Sequence, residues 1–189
     1  MINHPLPSLA KLAVEAFVRE GKIIESPKDL SKEFLERRSG TFVTIMKNER
    51  LRGCVGTYLF TQESIIEEII QNAIAAASKD YRFGPIRKEE LTLLEYIVYI
   101  LSKPELVRSI SELDPKKYGI IVKTLPIVST NKSDVVLNTH IPAKTGLLLP
   151  GLEGIDTAEN QIATACQKGE INPEKERIVI YRFTTEKYQ

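Results

Sequence analysis

Apolar residues recur at helical spacing in two segments of the chain, residues 8–20 and residues 62–79. Positions three and four apart lie on one face of a helix, so each segment is predicted to be a helix with one apolar stripe. Ser8 is placed to cap the first helix and Gly21 to end it. The pattern therefore predicts two amphipathic helices, and the apolar stripe of the second is expected to lie on a sheet.

Polar residues at helix starts support the second of these helices and predict one further helix. Ser64 with Glu67 has capping-box spacing at the front of the second helix, and Asp156 with Glu159 has the same spacing before a helix that runs to about Lys168. A short helical turn is expected near residues 32–37. The remaining elements are β-branched and aromatic runs that favour strands, at residues 41–47, 51–59, 90–102, 118–123, 146–150 and 176–184, with an ambiguous strand pair over 127–138.

The order of these elements predicts an α+β fold with a mainly antiparallel sheet flanked by helices. Residues 41–47 and 51–59 are expected to pair as a hairpin, although the intervening residues 48–50 lack an Asn-Gly turn. Hairpins and strand runs outnumber β-α-β alternation, which is the pattern of an α+β protein.

Composition narrows the classes of function. The chain is 42% hydrophobic and 27% charged, with a formal net charge of +1, so composition makes no case for a nucleic-acid or membrane surface. No secretory signal is visible at the start of the sequence, and a cytoplasmic protein is expected. Cys54 and Cys166 form neither a CxxC pair nor a disulfide framework, and a bridge between them is the less expected alternative in that compartment.

Residues 51–56, with the sequence LRGCVG, are the most informative stretch of the chain. Side chains alternate along a strand, so Arg52, Cys54 and Gly56 are predicted to share one side and the other three residues the opposite side. A nearby cation favours the thiolate form of a cysteine. The stretch therefore suits either a reactive or ligand-binding site or a tightly packed strand crossing.

Each candidate residue has a structural alternative. Cys54 is predicted to be a nucleophile or redox thiol, or else a small buried hydrophobe. Arg52 and Arg82 are predicted to clamp a phosphate or carboxylate, or else to form structural ion pairs, for instance with Asp80. Asp80 could also bond only to local backbone.

Other kinds of site receive less support. Cys166 is expected to be a core residue of its helix. No close cluster of metal-ligating residues, Walker loop or G-x-G-x-x-G is present, so no metal or cofactor is expected. A single-stranded RNA surface next to Arg82 and Lys79 is a further hypothesis, against the alternative that its aromatic residues lie in the core; these are Tyr58, Phe60, Tyr81 and Phe83.

Several of these motifs, taken in order, resemble the AMMECR-one domain family. Residues 40–44 and 51–57 are similar to the family signature, and Asp80, Arg82, Phe83 and Pro85 to its D-x-R-F-x-P segment. The resemblance continues in residues 146–150 (GLLLP) and in Cys166 with Lys168 and Gly169, and it covers about residues 9–184. The chain departs from the family pattern at Tyr81 and Gly151, and most strongly over residues 124–145.

The resemblance implies a single domain over residues 1–189 with a smaller lobe within about 104–150. It implies association with Memo-type and radical SAM proteins and carries no established reaction. The resulting hypothesis is a binding or accessory module for an anionic ligand or partner protein. Its ligand-binding residues would be Arg52, Gly53, Gly56, Asp80, Arg82 and Phe83. The alternative is an enzyme that uses Cys54 to modify RNA or a small molecule.

Overall fold

A computed structural model describes residues 4–125 and 143–189. Helices and antiparallel sheets are both present, which confirms the predicted α+β class. The described residues form two compact units, one that runs to Lys103 and includes Glu186–Gln189, and one that spans Pro104–Thr185. The strand pair predicted over 127–138, and His140, lie outside the described residues.

The first unit is a four-stranded sheet with helices packed on it. The strands stand in the order β2-β1-β3-β8, and β1 is antiparallel to both β2 and β3. Residues 88–93 form a 3-10 helix that leads into β3. The other elements of this unit are α1 Pro5–Glu20, α2 Lys32–Glu36, β1 Thr41–Lys47, β2 Arg50–Gly56, α3 Ile65–Ser78, β3 Leu94–Leu101 and β8 Thr185–Tyr188.

The second unit has its own sheet, in the order β4-β7-β5-β6, with one α-helix against it. Its elements are β4 Glu105–Leu106, β5 Gly119–Thr124, β6 Thr145–Leu148, α4 Ala158–Lys168 and β7 Ile178–Phe183. Ile120, Val122 and Ala165 are fully buried in its core. Cys166 belongs to the same cluster and is 2% exposed, so its assignment to the core is confirmed.

The core of the first unit lies between its sheet and two helices. Val43, Ile45 and Val98 project from alternate positions of β1 and β3 and are fully buried, as period-two alternation requires. Helices α1 and α3 cover this face of the sheet. The apolar stripe predicted for α3 is therefore the stripe that buries the core. In α1 the buried face includes Leu9 and Ala13, as predicted, but Leu12 of the predicted stripe is 56% exposed.

Buried polar side chains of α3 fix the start of β1 and the residue just past the end of β2. Asn72 donates from Nδ2 to the carbonyl oxygen of Thr41 at 3.0 Å and to its hydroxyl at 2.9 Å. The carboxylate of Glu68 accepts from the hydroxyl of Thr57 at 2.6 Å, just past the end of β2. Because each of these contacts satisfies a buried polar group of α3, they hold β1 and β2 against the helix.

Several predicted boundaries differ from the structure. The first helix begins at Pro5, and Ser8 lies inside it with its hydroxyl bonded to the carbonyl oxygen of His4. Helix α4 is capped by Thr157, not by Asp156. Strand β3 begins at Leu94, because the residues before it form the 3-10 helix. At the two helix starts, a neighbouring residue provides the capping side chain that the spacing assigned to Ser8 and Asp156.

The N-cap of α1 predicts a pH-dependent stability. His4 caps the helix because Nδ1 accepts from the backbone N–H of Leu6 at 3.3 Å, and burial lowers the pKa of His4. Since the folded pKa lies below the unfolded value of about 6.5, the folded state loses stability as the pH falls below that value. We expect a loss of about 1 kcal/mol between about pH 7.5 and pH 5, the size of one N-cap.

The variant His4→Asn keeps a capping oxygen but does not titrate in this range. It should show a smaller loss of unfolding free energy over the same pH interval, measured by urea denaturation. Equal pH dependence of the variant and the wild-type protein would contradict the assignment to His4.

Candidate functional site

The candidate site lies at the outer edge of β2, the edge strand of the first sheet. There the backbone of Cys54 is bonded to two side chains. Its N–H donates to Asp80 Oδ2 at 2.9 Å, and its carbonyl oxygen accepts from Arg82 Nη2 at 3.3 Å. A carboxylate and a guanidinium thus take the place of a neighbouring strand and cover an edge that would otherwise pair with another chain.

Asp80 is the most completely enclosed member of this arrangement. Its side chain is 4% exposed, and the carboxylate accepts from Arg82 Nε at 2.9 Å and Nη2 at 2.7 Å. It also accepts from the backbone N–H of Arg82 at 3.2 Å, the local bond that the sequence suggested. The guanidinium beside it, with the N–H of Cys54, lowers the pKa of Asp80 to about 2.

Arg82 is held on one side and open on the other. Nε and Nη2 face Asp80 and Cys54, whereas Nη1 makes no hydrogen bond within the described part of the chain, and the side chain is 39% exposed. The guanidinium lies 5.2 Å from the centre of the Phe83 ring, a cation–π contact. Tyr81 beside it is 94% exposed. The loop therefore presents an oriented cation between two exposed aromatic side chains.

Arg52 is bonded within the protein. Nε and Nη2 form a bidentate pair with Glu90 at 2.9 and 3.0 Å, and Nη1 and Nη2 donate to the carbonyl oxygens of Gly84 and Pro85, each at 3.1 Å. Lys47 also donates to Glu90, at 2.9 Å. The hydrogen bonds from Arg52, above all, hold the pKa of Glu90 well below its usual range. Arg52 thus fixes the loop that carries Arg82 to the strand.

The predicted alternation of side chains holds over only part of residues 51–56. Ile45 pairs with Gly53 and Met46 with Leu51, so Arg52 is the extra residue of a β-bulge. Cys54 and Gly56 do share one side of the sheet, but Arg52 leaves the alternation. A bulge redirects one side chain, and here it sends Arg52 towards Glu90.

The two glycines of this stretch permit close packing. A Cβ at Gly53 would lie 2.4 Å from the carbonyl oxygen of Ala76 in α3, and a Cβ at Gly56 would lie 2.2 Å from the ring of Phe42. The space that each glycine leaves is therefore filled by the protein in these directions. The approach of a ligand to these glycines stays a prediction.

Cys54 is partly exposed, and its thiol lies beside a hydroxyl. Thr44, its cross-strand partner, donates from Oγ1 to Sγ at 3.3 Å. A threonine hydroxyl is not a general base at neutral pH. His4, the histidine that the structure describes, caps α1 and stacks on Tyr188 with ring centroids 4.3 Å apart. This geometry does not assign His4 to a catalytic pair with Cys54.

The thiol of Cys166 is buried, and burial raises its pKa. Neither Cys54 nor Cys166 is in a disulfide. Within residues 4–125 and 143–189, no group of three or more His, Cys, Asp or Glu side chains is placed to hold a metal ion. The helices of these same residues are all too short or too polar to cross a membrane.

Sequence reasoning found the charged pair at Asp80 and Arg82 but not the role of Glu90. The sequence pattern places Glu90 only at the start of a predicted strand, yet its carboxylate fixes Arg52, Lys47 and the N–H of Arg87. No short-range spacing indicates the bonds to Arg52 and Lys47, since these two residues lie about 40 positions before Glu90 in the chain.

Comparison with known proteins shows which family this chain belongs to. The sequence model of the AMMECR1 family matches residues 7–188, nearly the whole chain. The chain belongs to the AMMECR1 family. The relationship that the LRGCVG stretch and its neighbours indicated is thereby confirmed.

Other members of the AMMECR1 family are similar over most of this chain. A protein of Thermotoga maritima is 44% identical over 188 residues, which cover 99% of this chain and 98% of that protein. A Clostridium acetobutylicum protein is 36% identical over 98% of this chain, which spans 35% of that longer protein. The crystal structure of the uncharacterized protein PH0010 from Pyrococcus horikoshii matches with a TM-score of 0.77 at 30% identity, covering 96% of this chain and 88% of that one.

Proposed function

We propose that this AMMECR1-family protein is a binding module that docks an acidic segment of a partner protein on Tyr81, Arg82 and Phe83, here called the docking surface. The observation that supports this proposal is the orientation of Arg82. Asp80 and the carbonyl oxygen of Cys54 hold one edge of its guanidinium, while Nη1 makes no hydrogen bond within the described residues. Two donors are thus presented to an incoming carboxylate.

The composition of the docking surface suits protein recognition. Arginine and tyrosine are enriched among the residues that dominate binding energy at protein interfaces. An exposed arginine normally loses side-chain entropy when it binds, but Arg82 is already held by Asp80 and by the Phe83 ring. Arg52 supports the same surface through the carbonyl oxygens of Gly84 and Pro85. A fixed cation between exposed aromatics binds an acidic segment at low entropic cost.

The proposal gives Cys54 a structural part. Its backbone N–H and carbonyl oxygen anchor the Asp80–Arg82 pair, and any residue in the same conformation could supply them. Cys54→Ser should therefore keep binding, whereas Arg52→Ala should weaken it by releasing the loop. An enzyme that used the thiol would show the opposite order.

A peptide selection tests the docking surface directly. Random peptides displayed on phage are selected against the wild-type protein, and their dissociation constants are measured by fluorescence anisotropy. We expect the selected peptides to carry Asp or Glu beside an apolar residue. Arg82→Ala should weaken their binding about tenfold or more, the contribution of one charge-assisted hydrogen bond.

Arg108→Ala is the matched control, because Arg108 is exposed and its side chain has no partner within the described residues. It removes the same charge at a distant position in the sequence and should leave binding unchanged. Failure to select any peptide, or equal weakening by both variants, would refute the proposal. Oligouridylate serves as a second probe, and binding that requires Tyr81 and Phe83 would assign the surface to RNA instead.

The thiol hypothesis has its own test in iodoacetamide labelling across pH. A midpoint near the pKa of an ordinary thiol, about 8.5, is expected for Cys54. A midpoint well below that value would favour the enzyme. Purified Memo-type and radical SAM proteins, which the family resemblance suggests as partners, are the first proteins to test for binding to the docking surface.

A further inference from the structure

We propose that a cavity at the tip of the β1–β2 hairpin binds the dianionic phosphoryl group of a small phosphomonoester. The cavity has a volume of 420 Å³ and is lined by Lys47, Asn48, Arg50, Leu51 and Arg52. Neither Cys54 nor Arg82 lines it. The proposed site is thus distinct from the docking surface and does not depend on the function proposed for that surface.

The charges around the cavity match a dianion. Three lining side chains are cationic and none is anionic. Among the described residues, the carboxylate that bonds to these cations is that of Glu90, which pairs with Lys47 and Arg52. One negative charge against three positive charges leaves a surplus of two. A dianion balances this surplus, whereas a monoanionic carboxylate leaves a positive charge uncompensated.

The cations of the cavity differ in mobility, which suits capture of an anion. Lys47 and Arg52 are fixed by Glu90 at 2.9 Å each, so little entropy is lost when they contact a ligand. Arg50 is exposed and its guanidinium has no ion pair within the described residues. It can supply a full bidentate fork to phosphate oxygens.

An apolar wall sets the kind of molecule that carries the phosphate. Leu51 lines the cavity and is 39% exposed, so it offers a surface for a hydrocarbon or aromatic body. Asn48, at the hairpin turn, adds a polar side chain to the lining. The predicted ligand is therefore an organic phosphomonoester of about the size of a mononucleotide, for which a cavity of this volume is adequate.

A neighbouring cavity provides a contrast of charge. It has a volume of 470 Å³ and shares Asn48 with the first cavity. Its other lining residues are Glu49, Glu95 and residues 92–94, and none of them is cationic. The hairpin tip thus separates a basic cavity from an acidic one. An anion that reaches the tip is attracted to the first and repelled by the second.

Phenyl phosphate is the probe for this site, because it combines an aromatic ring with a phosphoryl group whose second pKa is about 6. Backbone amide shifts of residues 47–52 in ¹⁵N NMR spectra report the binding. We expect saturable shifts, tighter binding at pH 7.5 than at pH 5, and weaker binding of benzoate, which has the same ring and one charge. Arg50→Ala should weaken phenyl phosphate about tenfold.

Arg108→Ala and Arg82→Ala are the controls and should bind phenyl phosphate as the wild-type protein does. Arg50→Lys keeps the charge and should retain part of the affinity, and the NMR spectrum of each variant shows whether it is folded. Equal affinity for benzoate, no saturable shift, or shifts centred on residues 80–85 would overturn the proposal. The last outcome would assign the anion to the docking surface.

Discussion

Replacing Asp80 with alanine is expected to lower the free energy of unfolding by about 3 kcal/mol and to remove binding at the docking surface. The carboxylate is 4% exposed and accepts four hydrogen bonds, from Arg82 and from the N–H of Cys54. Removal of one partner of a buried ion pair costs about 3–5 kcal/mol, and Arg82 lies near the surface, which places the value at the lower end. The N–H of Cys54 would also lose its acceptor.

The measurement is urea denaturation across pH. The folded pKa of Asp80 is about 2 and the unfolded value about 3.9. Because the folded value is the lower one, the stability that Asp80 confers is present above about pH 4 and is lost as the pH falls through the folded pKa. The Asp80→Ala variant should lack this part of the acid dependence.

Two comparisons make the result specific. Asp80→Asn keeps an acceptor for Cys54 but loses the charge, so its stability should lie between those of the wild-type protein and Asp80→Ala. Arg82→Ala should lower the free energy of unfolding by less than Asp80→Ala does, because water can reach the position that the Arg82 side chain leaves. A loss below about 1 kcal/mol for Asp80→Ala would mean that the pair does not hold the edge of β2.

Replacing Gly53 with alanine should lower the free energy of unfolding by about 3 kcal/mol or prevent folding. The new Cβ would lie 2.4 Å from the carbonyl oxygen of Ala76, and real Cβ atoms do not approach backbone this closely. Strand β2 or helix α3 must then shift, and overpacking of this kind costs about 1–3 kcal/mol, with more where backbone must move. The loss of stability is measured by thermal unfolding of the wild-type and variant proteins, followed by circular dichroism.

Gly84→Ala is the informative control for this prediction. Gly84 has a φ of 67° and open space where a Cβ would be placed, so alanine there meets a conformational penalty of about 1 kcal/mol but no clash. A similar loss for both variants would show that steric contact with α3 is not what requires glycine at position 53.

Sequence periodicity predicted the elements of the first unit well where one face is buried. The strand expected at 41–47 is β1, and the stripe of Ile66, Ile69, Ile70 and Ala73 is the buried face of α3. Periodicity could not predict β8, a four-residue strand of mixed polarity, because its position depends on pairing with a distant strand. The resemblance implies a smaller lobe within about residues 104–150, but periodicity could not assign particular strands to a second sheet, because their pairing is again non-local.

The candidate site shows the same limit at the level of single side chains. The sequence pointed to Arg52, Asp80 and Arg82, and their alternative as structural ion pairs is what the structure contains. The bulge at Arg52 could not be foreseen, because it arises from the register of β1 against β2. The role of Glu90 depends in turn on that bulge.

The place of β8 in the first sheet has a consequence for synthesis on the ribosome. Strand β8 pairs with β3, but residues 104–185 are translated between these two strands. The sheet of the first unit therefore lacks β8 while the second unit is being synthesised. Once β8 is made, Tyr188 stacks on His4 and Glu186 pairs with Arg37, which joins the two ends of the first unit. The first sheet therefore depends on residues from both sides of the second unit, and its fourth strand can pair only after residues 104–185 have been made.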